Sequence, residues 1–309
     1  MDNAVAQIGG QDGLPMKPLE AWTVAARVHT LPAAVTPVLV GAGLAVHDGV
    51  FRIDALIWTL VGALAIQVAA NFANDASDAH RGADSDDRLG PPRMVSAGLI
   101  TPRRMWLATA VAVAVAAVAG VALTLIADPV ILVIGAVSVV AMLGYVGGPK
   151  PYGYRGLGEV FVFVFFGLVA TVGSRYVYDS TAPLSAWLLA IPVGMLVTAI
   201  LVANNYRDLE TDARAGKRTL AVLLGPQRTK VLFAVLTYGA FPVIVLFGLA
   251  GWTPIATLFA AFWVSFATKP VSLVQTATDG PSLIRALKLT ARLHLLTGLS
   301  LAAGAAITI

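Results

Sequence analysis

The chain is partitioned by charge. Largely uncharged stretches at about 28–46, 55–74, 105–127, 129–146, 160–178, 184–205, 230–250, 253–268 and 292–308 alternate with connections that hold nearly all the ionisable residues. Each stretch is near the ~20 residues with which a helix crosses ~30 Å of hydrocarbon. In lipid a helix satisfies every backbone polar group internally, so the pattern leaves little choice of fold. The stretch 231–268 is too long for one helix, and Gly251-Trp252-Thr253-Pro254 places a turn inside it. The expectation is an all-α integral membrane bundle of about nine transmembrane helices. Composition agrees: 58% of the 309 residues are hydrophobic, 12% are charged and mean hydropathy is +0.80. That is too little polar surface to clothe a water-soluble core.

Basic residues orient the bundle. When the N-terminal segment and every second connection are assigned to one side, that side holds all of the 21 lysines and arginines except Arg52 and Arg175. The rule that basic loops stay inside predicts a cytoplasmic N-terminus. The long connections, about 76–103, 147–158, 206–228 and 269–290, fall on the same side, so function is expected there. Residues 1–17 read as a flexible tail without a secretory signal, ahead of a single membrane domain over 18–309. Trp22 marks a short interfacial helix before the first span. Arg175 is expected to snorkel to the outer surface. With no cysteine in the chain, disulfides, thiolate nucleophiles and Cys-ligated metals are excluded.

Two acidic motifs then stand out. "NFANDASDAHRGADSDDRLG" closes the second span and "NNYRDLETD" closes the sixth, and both contain Asn-x-x-x-Asp. On a helix, Asn71, Asn74, Asp75 and Asp78 share one face, and Asn204, Asp208 and Asp212 share another. Carboxylates stacked at the edge of hydrocarbon repel one another unless a cation lies between them. Carboxylate and amide oxygens suit Mg²⁺, or Mn²⁺, rather than a soft metal. Facing acidic clusters with basic residues nearby (Arg81, Arg88, Arg93, Arg207, Lys217 and Arg218) describe a metal–diphosphate site. Its occupant would have a diphosphate head and a lipid tail. Asp84 is a weaker metal candidate, and Arg103 and Arg104 read as topology determinants.

"YVGGPKPYGYRGLGEVFVFVFF", residues 145–166, combines aromatic and basic groups. Tyr152 and Tyr154 are candidates to shield an allylic cation, and Lys150 to take phosphate charge. Phe161, Phe163, Phe165 and Phe166 serve either that purpose or ordinary packing. The histidines, His80 included, show no ligand spacing.

These segments resemble the UbiA superfamily of intramembrane aromatic prenyltransferases. "NFANDASDAHRGADSDDRLGPPRMVSAGLI", "PYGYRGLGE" with "VFFGLVATVGSRY", and "NNYRDLETDARAGKRTLAVLLG" are most similar to the branch acting on 1,4-dihydroxy-2-naphthoate in menaquinone synthesis. The resemblance runs from about Leu19 to the C-terminus. It implies a nine-helix bundle capped by cytoplasmic loops and short helices. By it, Asn74 and Asp78, with Asp75 beside them, form the first metal motif, and Asn204, Asp208 and Asp212 the second. Gly82 stands where many members carry a third acid. The implied reaction moves a polyprenyl group from polyprenyl diphosphate to the naphthoate with loss of carbon dioxide, giving demethylmenaquinone in the cytoplasmic membrane of a bacterium. No nucleic-acid partner is implied. The same chemistry on 4-hydroxybenzoate or homogentisate is the alternative, and a cation-coupled transporter a more distant one.

Overall fold

The computed structural model describes residues 16–81, 89, 93–147 and 151–307. Lys150, Arg88 and Asp84 of the expected site therefore lie outside the described residues, as does most of the 1–17 tail. The described residues form helices: α1 Pro18–Ala26, α2 Pro32–His47, α3 Ile53–His80, α4 Pro102–Thr124, α5 Val130–Val146, α6 Gly158–Tyr176, α7 Leu184–Arg207, α8 Leu209–Arg214, α9 Leu220–Leu249, α10 Ile255–Thr276 and α11 Gly280–Ala306.

Six of them (α3, α4, α6, α7, α9 and α10) are long and apolar enough to cross a membrane. Residues 18–47, bent by 49° between Thr30 and Pro32, make a seventh if they form one span. The nine-span expectation also needs α5, which is apolar but only 17 residues long, and α11. This is a multi-pass membrane protein.

The burial pattern separates centre from rim. In α7, 67% of the most apolar window is buried, against 22–39% in the other five spans. Leu189, Val193 and Leu196 of α7 pack with Val40 and Leu44 of α2, Phe241 and Ile244 of α9, and Leu293 and Leu301 of α11. The outer helices keep apolar faces exposed, as Val111, Val115 and Val118 on α4 and Val133, Val137 and Val140 on α5. At these spacings each set forms a stripe suited to lipid.

Helices approach closely where side chains are missing. A Cβ on Gly167 of α6 would lie 2.4 Å from the Cα of Gly194 in α7, and one on Gly43 would lie 2.2 Å from the Ala302 carbonyl oxygen. Small residues at such crossings let backbones touch, the usual means of packing helices in lipid.

Two expectations need correction. The 269–290 connection is helical up to Thr276 and again from Gly280. Arg285, Lys288 and Arg292 are exposed along one side of α11, while Leu283, Ala286, Leu287, Thr290 and Leu293 are buried. An amphipathic helix extending past the apolar layer looks like a charged loop when charge alone is scanned. Nor does Arg175 snorkel. It is 2% exposed and donates to Asp48 at 2.8 Å and to Asp179 at 2.7 Å. The three residues tie the C-terminal end of α2 to the end of α6.

Candidate active site

The first motif lies on regular helix, since α3 continues to His80. Asn71, Asn74, Asp75 and Asp78 all line one cavity, as their spacing requires. The second motif crosses a break. Helix α7 stops at Arg207, Asp208 has non-helical φ/ψ, and α8 begins at Leu209. The stripe survives because Asp208 N–H still donates to the Asn204 carbonyl at 3.1 Å and Asp212 N–H to that of Asp208 at 2.8 Å. Asn204, Asp208 and Asp212 line the same cavity.

A lysine joins the two motifs. Lys217 Nζ lies 3.4 Å from Asp78 Oδ1 and 3.6 Å from Asp212 Oδ1. It also stands over the Tyr154 ring, 4.8 Å from the centroid. The Tyr154 hydroxyl donates to Asp78 Oδ1, and Arg93 Nη2 donates to Oδ2 of the same carboxylate at 2.5 Å. Arg207 grips Asp208 through Nε and Nη2 and donates to Asn204 Oδ1 at 3.0 Å. Burial, reinforced by the negative charge of Asp78, raises the Tyr154 phenol pKa above its ordinary value, so the hydroxyl stays a donor.

Other expected residues are placed differently. Asp75 accepts the backbone N–H groups of Met94 at 3.0 Å and Val95 at 2.9 Å, anchoring the returning loop with both oxygens. Asn71 donates to the Ala26 carbonyl and the Thr30 hydroxyl, where Gln67 also binds, so it fastens the bend between α1 and α2. The Arg81 and Arg218 side chains are exposed and do not line the cavity. Arg81 lies over Tyr154, while the Arg218 backbone N–H donates to the Tyr154 carbonyl at 3.1 Å.

The cavity holds about 400 Å³ and follows α3 from Thr59 to Asp78. At 1.5 Å per residue that stretch is about 28 Å long, nearly the full hydrocarbon layer. Its polar mouth leads into apolar walls that include Leu123, Ile131, Ile134 and Val169. Between them runs an aromatic ladder. Tyr145 meets Tyr152 edge-on at 5.5 Å, Tyr152 stacks on Phe161 at 3.8 Å, and Phe161 stacks on Phe165 at 5.9 Å. All four line the cavity, as does Phe166, whereas Phe163 packs against Gly194 of α7. The π-helical turn Phe163–Val169 within α6 widens the repeat and brings both Phe165 and Phe166 to the cavity side.

Two residues of this region fell outside the sequence reading. Asn205 lines the cavity, and its amide donates to the buried Glu159 at 2.9 Å. The signals were a doubled asparagine in the second motif and a glutamate opening an apolar run, where an acid needs a partner.

The oxygen donors suit a hard divalent ion. The cavity is lined by the oxygen donors of Asn74, Asp78, Asn204, Asp208 and Asp212, with His29 also in the lining, although among the described residues no three acids or histidines already stand as a ligand set. Asp78, Asp208 and Asp212 instead each have a lysine or arginine partner, and the same cations suit a diphosphate.

The fold is that of a polytopic membrane prenyltransferase. The chain belongs to the UbiA prenyltransferase family, which it matches over residues 34–291. It is 38% identical to 1,4-dihydroxy-2-naphthoate octaprenyltransferase of Mycobacterium tuberculosis, covering 91% of this chain and 95% of that protein. It is 36% identical to the Escherichia coli protein of the same name, covering 74% and 77%. Among solved structures, a UbiA homolog from Aeropyrum pernix superposes with a TM-score of 0.68 at 17% identity over 87% of this chain and 96% of that one. A UbiA homolog from Archaeoglobus fulgidus bound to GPP and Mg²⁺ gives 0.65 at 13% identity over 92% and 99%.

Proposed function

We propose that the protein transfers a polyprenyl group from polyprenyl diphosphate to 1,4-dihydroxy-2-naphthoate, with decarboxylation, on the demethylmenaquinone route. The observation that carries this reading is the Lys217 contact with both Asp78 and Asp212 at the mouth of an apolar, aromatic-walled cavity. The names of the bacterial relatives support the acceptor. The Archaeoglobus neighbour with bound GPP and Mg²⁺ supports the donor class and the metal.

Asn74, Asp78, Asn204, Asp208 and Asp212 would hold Mg²⁺ (Mn²⁺ is the alternative), which when bound neutralises the leaving diphosphate. Arg93, Arg207 and Lys217, now paired with the acids, would then bind phosphate oxygens. The isoprenoid tail occupies the apolar length of the cavity. Scission of the C–O bond leaves the electron pair on diphosphate and an allylic cation on the tail. Tyr152, Phe161 and Phe165 offer ring faces to that cation and keep water away. The electron-rich ring carbon bearing the carboxylate attacks the cation. Its bond to the carboxylate then breaks, carbon dioxide leaves, and that electron pair restores the aromatic ring. The immediate product is the quinol, and the quinone follows by oxidation. The basic asymmetry of the connections supports a cytoplasmic site.

The test is to incubate membranes containing the protein with labelled polyprenyl diphosphate and each candidate acceptor. Prenylated naphthoquinol is the expected product. Product from 4-hydroxybenzoate or homogentisate alone would overturn the acceptor assignment.

A further inference from the structure

Asn205 and Glu159 form a polar pair that the site described so far does not use. Glu159 is 4% exposed and Asn205 5% exposed, yet Asn205 borders the cavity and Glu159 lies behind it. Asn205 Nδ2 donates to Glu159 Oε1 at 2.9 Å. Glu159 Oε2 is buried without a hydrogen-bond partner among the described residues. The neighbouring Gly158 backs directly onto Tyr145, where a Cβ would lie 3.2 Å from the ring and 3.4 Å from its hydroxyl. The pair therefore sits at the foot of the aromatic ladder, one residue from Asn204 of the second motif.

An asparagine amide presents either its carbonyl or its NH₂ to a cavity, and the two ends look alike in shape. Here the carboxyl group behind Asn205 selects. It accepts from Nδ2, so the amide cannot turn over without setting carbonyl oxygen against carboxylate oxygen. With Nδ2 engaged by Glu159, the carbonyl is the end of the amide left to accept, on a residue that borders the cavity. A site that needed only apolar contact would not keep a buried acid for this purpose, because burying an acid with one oxygen unpaired is costly.

We infer that Asn205, held in one orientation by Glu159, accepts a hydrogen bond from a ring hydroxyl of the aromatic acceptor. Asn205 is thus a specificity-determining residue and Glu159 a positioning residue. The inference rests on the proposed function, in which the acceptor is a dihydroxylated ring. It concerns the flat acceptor, not the diphosphate donor, and so separates the two substrates experimentally. Losing one such hydrogen bond is worth about tenfold in binding.

The experiment measures KM for 1,4-dihydroxy-2-naphthoate and for polyprenyl diphosphate in wild type, Glu159→Leu, Glu159→Gln and Asn205→Leu. It also measures inhibition by 1-hydroxy-2-naphthoate and 4-hydroxy-2-naphthoate, each lacking one hydroxyl. Glu159→Leu and Asn205→Leu should raise the acceptor KM about tenfold and leave the donor KM within twofold. Glu159→Gln keeps a carbonyl that can accept from Asn205 and should restore the wild-type acceptor KM. Wild type should bind one of the two inhibitors about tenfold more weakly than the other, and Asn205→Leu should abolish that preference. Equal shifts in both KM values, loss of activity in Glu159→Gln as severe as in Glu159→Leu, or an inhibitor preference unchanged in Asn205→Leu would overturn the assignment. Wild-type membranes that prenylate no naphthoate would overturn the proposed function itself, whereas normal wild-type transfer with any of those variant results overturns this inference alone.

Discussion

Lys217 Nζ lies 3.4 Å from Asp78 Oδ1, although the two residues are 139 positions apart in the chain. The contact is buried, and Asp212 stands on the other side of the same ammonium. Lys217→Met should remove the ammonium that lies between Asp78 and Asp212, leaving Arg93 on the far oxygen of Asp78. We expect transfer to fall at least a hundredfold, because a buried charge loses its partner and the diphosphate loses a cation. We also expect Mg²⁺ to raise the melting temperature of purified Lys217→Met more than that of wild type, since an ion that binds only the folded state stabilises it by mass action. Equal Mg²⁺ responses in a thermal-shift assay would refute the shared-site geometry.

Asp75 and Asp78 sit three residues apart on one helix face but have different partners. Asp75→Asn keeps a carbonyl but weakens the bonds to Met94 and Val95, at a cost of about 1–3 kcal/mol. Limited proteolysis should cut within residues 93–101 faster in Asp75→Asn than in Asp78→Asn. Transfer should fall further in Asp78→Asn. The reverse ranking in both assays would make Asp75 the ligand and Asp78 the anchor.

The phenylalanines of α6 divide by position: Phe161, Phe165 and Phe166 line the cavity, and Phe163 packs on Gly194. Phe161→Leu removes a stacked face from the cavity wall and should increase capture of the allylic cation by water. The readout is the ratio of free prenol to prenylated product, expected to rise several-fold. Phe163→Leu removes a side chain packed on Gly194 and should cost about 1–3 kcal/mol of stability while leaving that ratio unchanged. Identical ratios in the two variants would remove the shielding role.

At the opposite end of the bundle, the Arg175 guanidinium holds the Asp179 carboxyl below its ordinary pKa through a direct hydrogen bond. A depressed carboxyl adds stability above its unfolded pKa of about 4 and loses it as pH falls through the lower folded value. Melting temperature in detergent should therefore drop as pH is lowered below about 4, and the drop should be shallower in Asp179→Asn. Arg175→Met should lower stability at pH 7 by roughly 3 kcal/mol, because Asp48 and Asp179 lose their shared partner.

The helical plan was legible because lipid enforces it: a long apolar run has few alternatives to a helix. The cavity-facing set on α3 was legible for the same reason, since the spacing from Asn71 to Asp78 permits only one face. What spacing could not reveal was partnership. That Asp75 binds backbone depends on a loop returning some 20 residues later. That Arg175 is buried depends on Asp48, which lies 127 positions away. Arg81 and Arg218 share a loop's basic character with Arg93 and Lys217, but only the latter two turn inward, and composition cannot separate them. Charge also misled at α11, where a helix carrying three cations on one side reads as a connection.

The cavity runs beside α3 for nearly the whole thickness of the hydrocarbon layer. A tail that fills it has no further protein to measure itself against. Under the proposed function, isoprene units beyond that length would extend past the cavity into the surrounding lipid. This cavity would then set no upper limit on the length of the donor's tail.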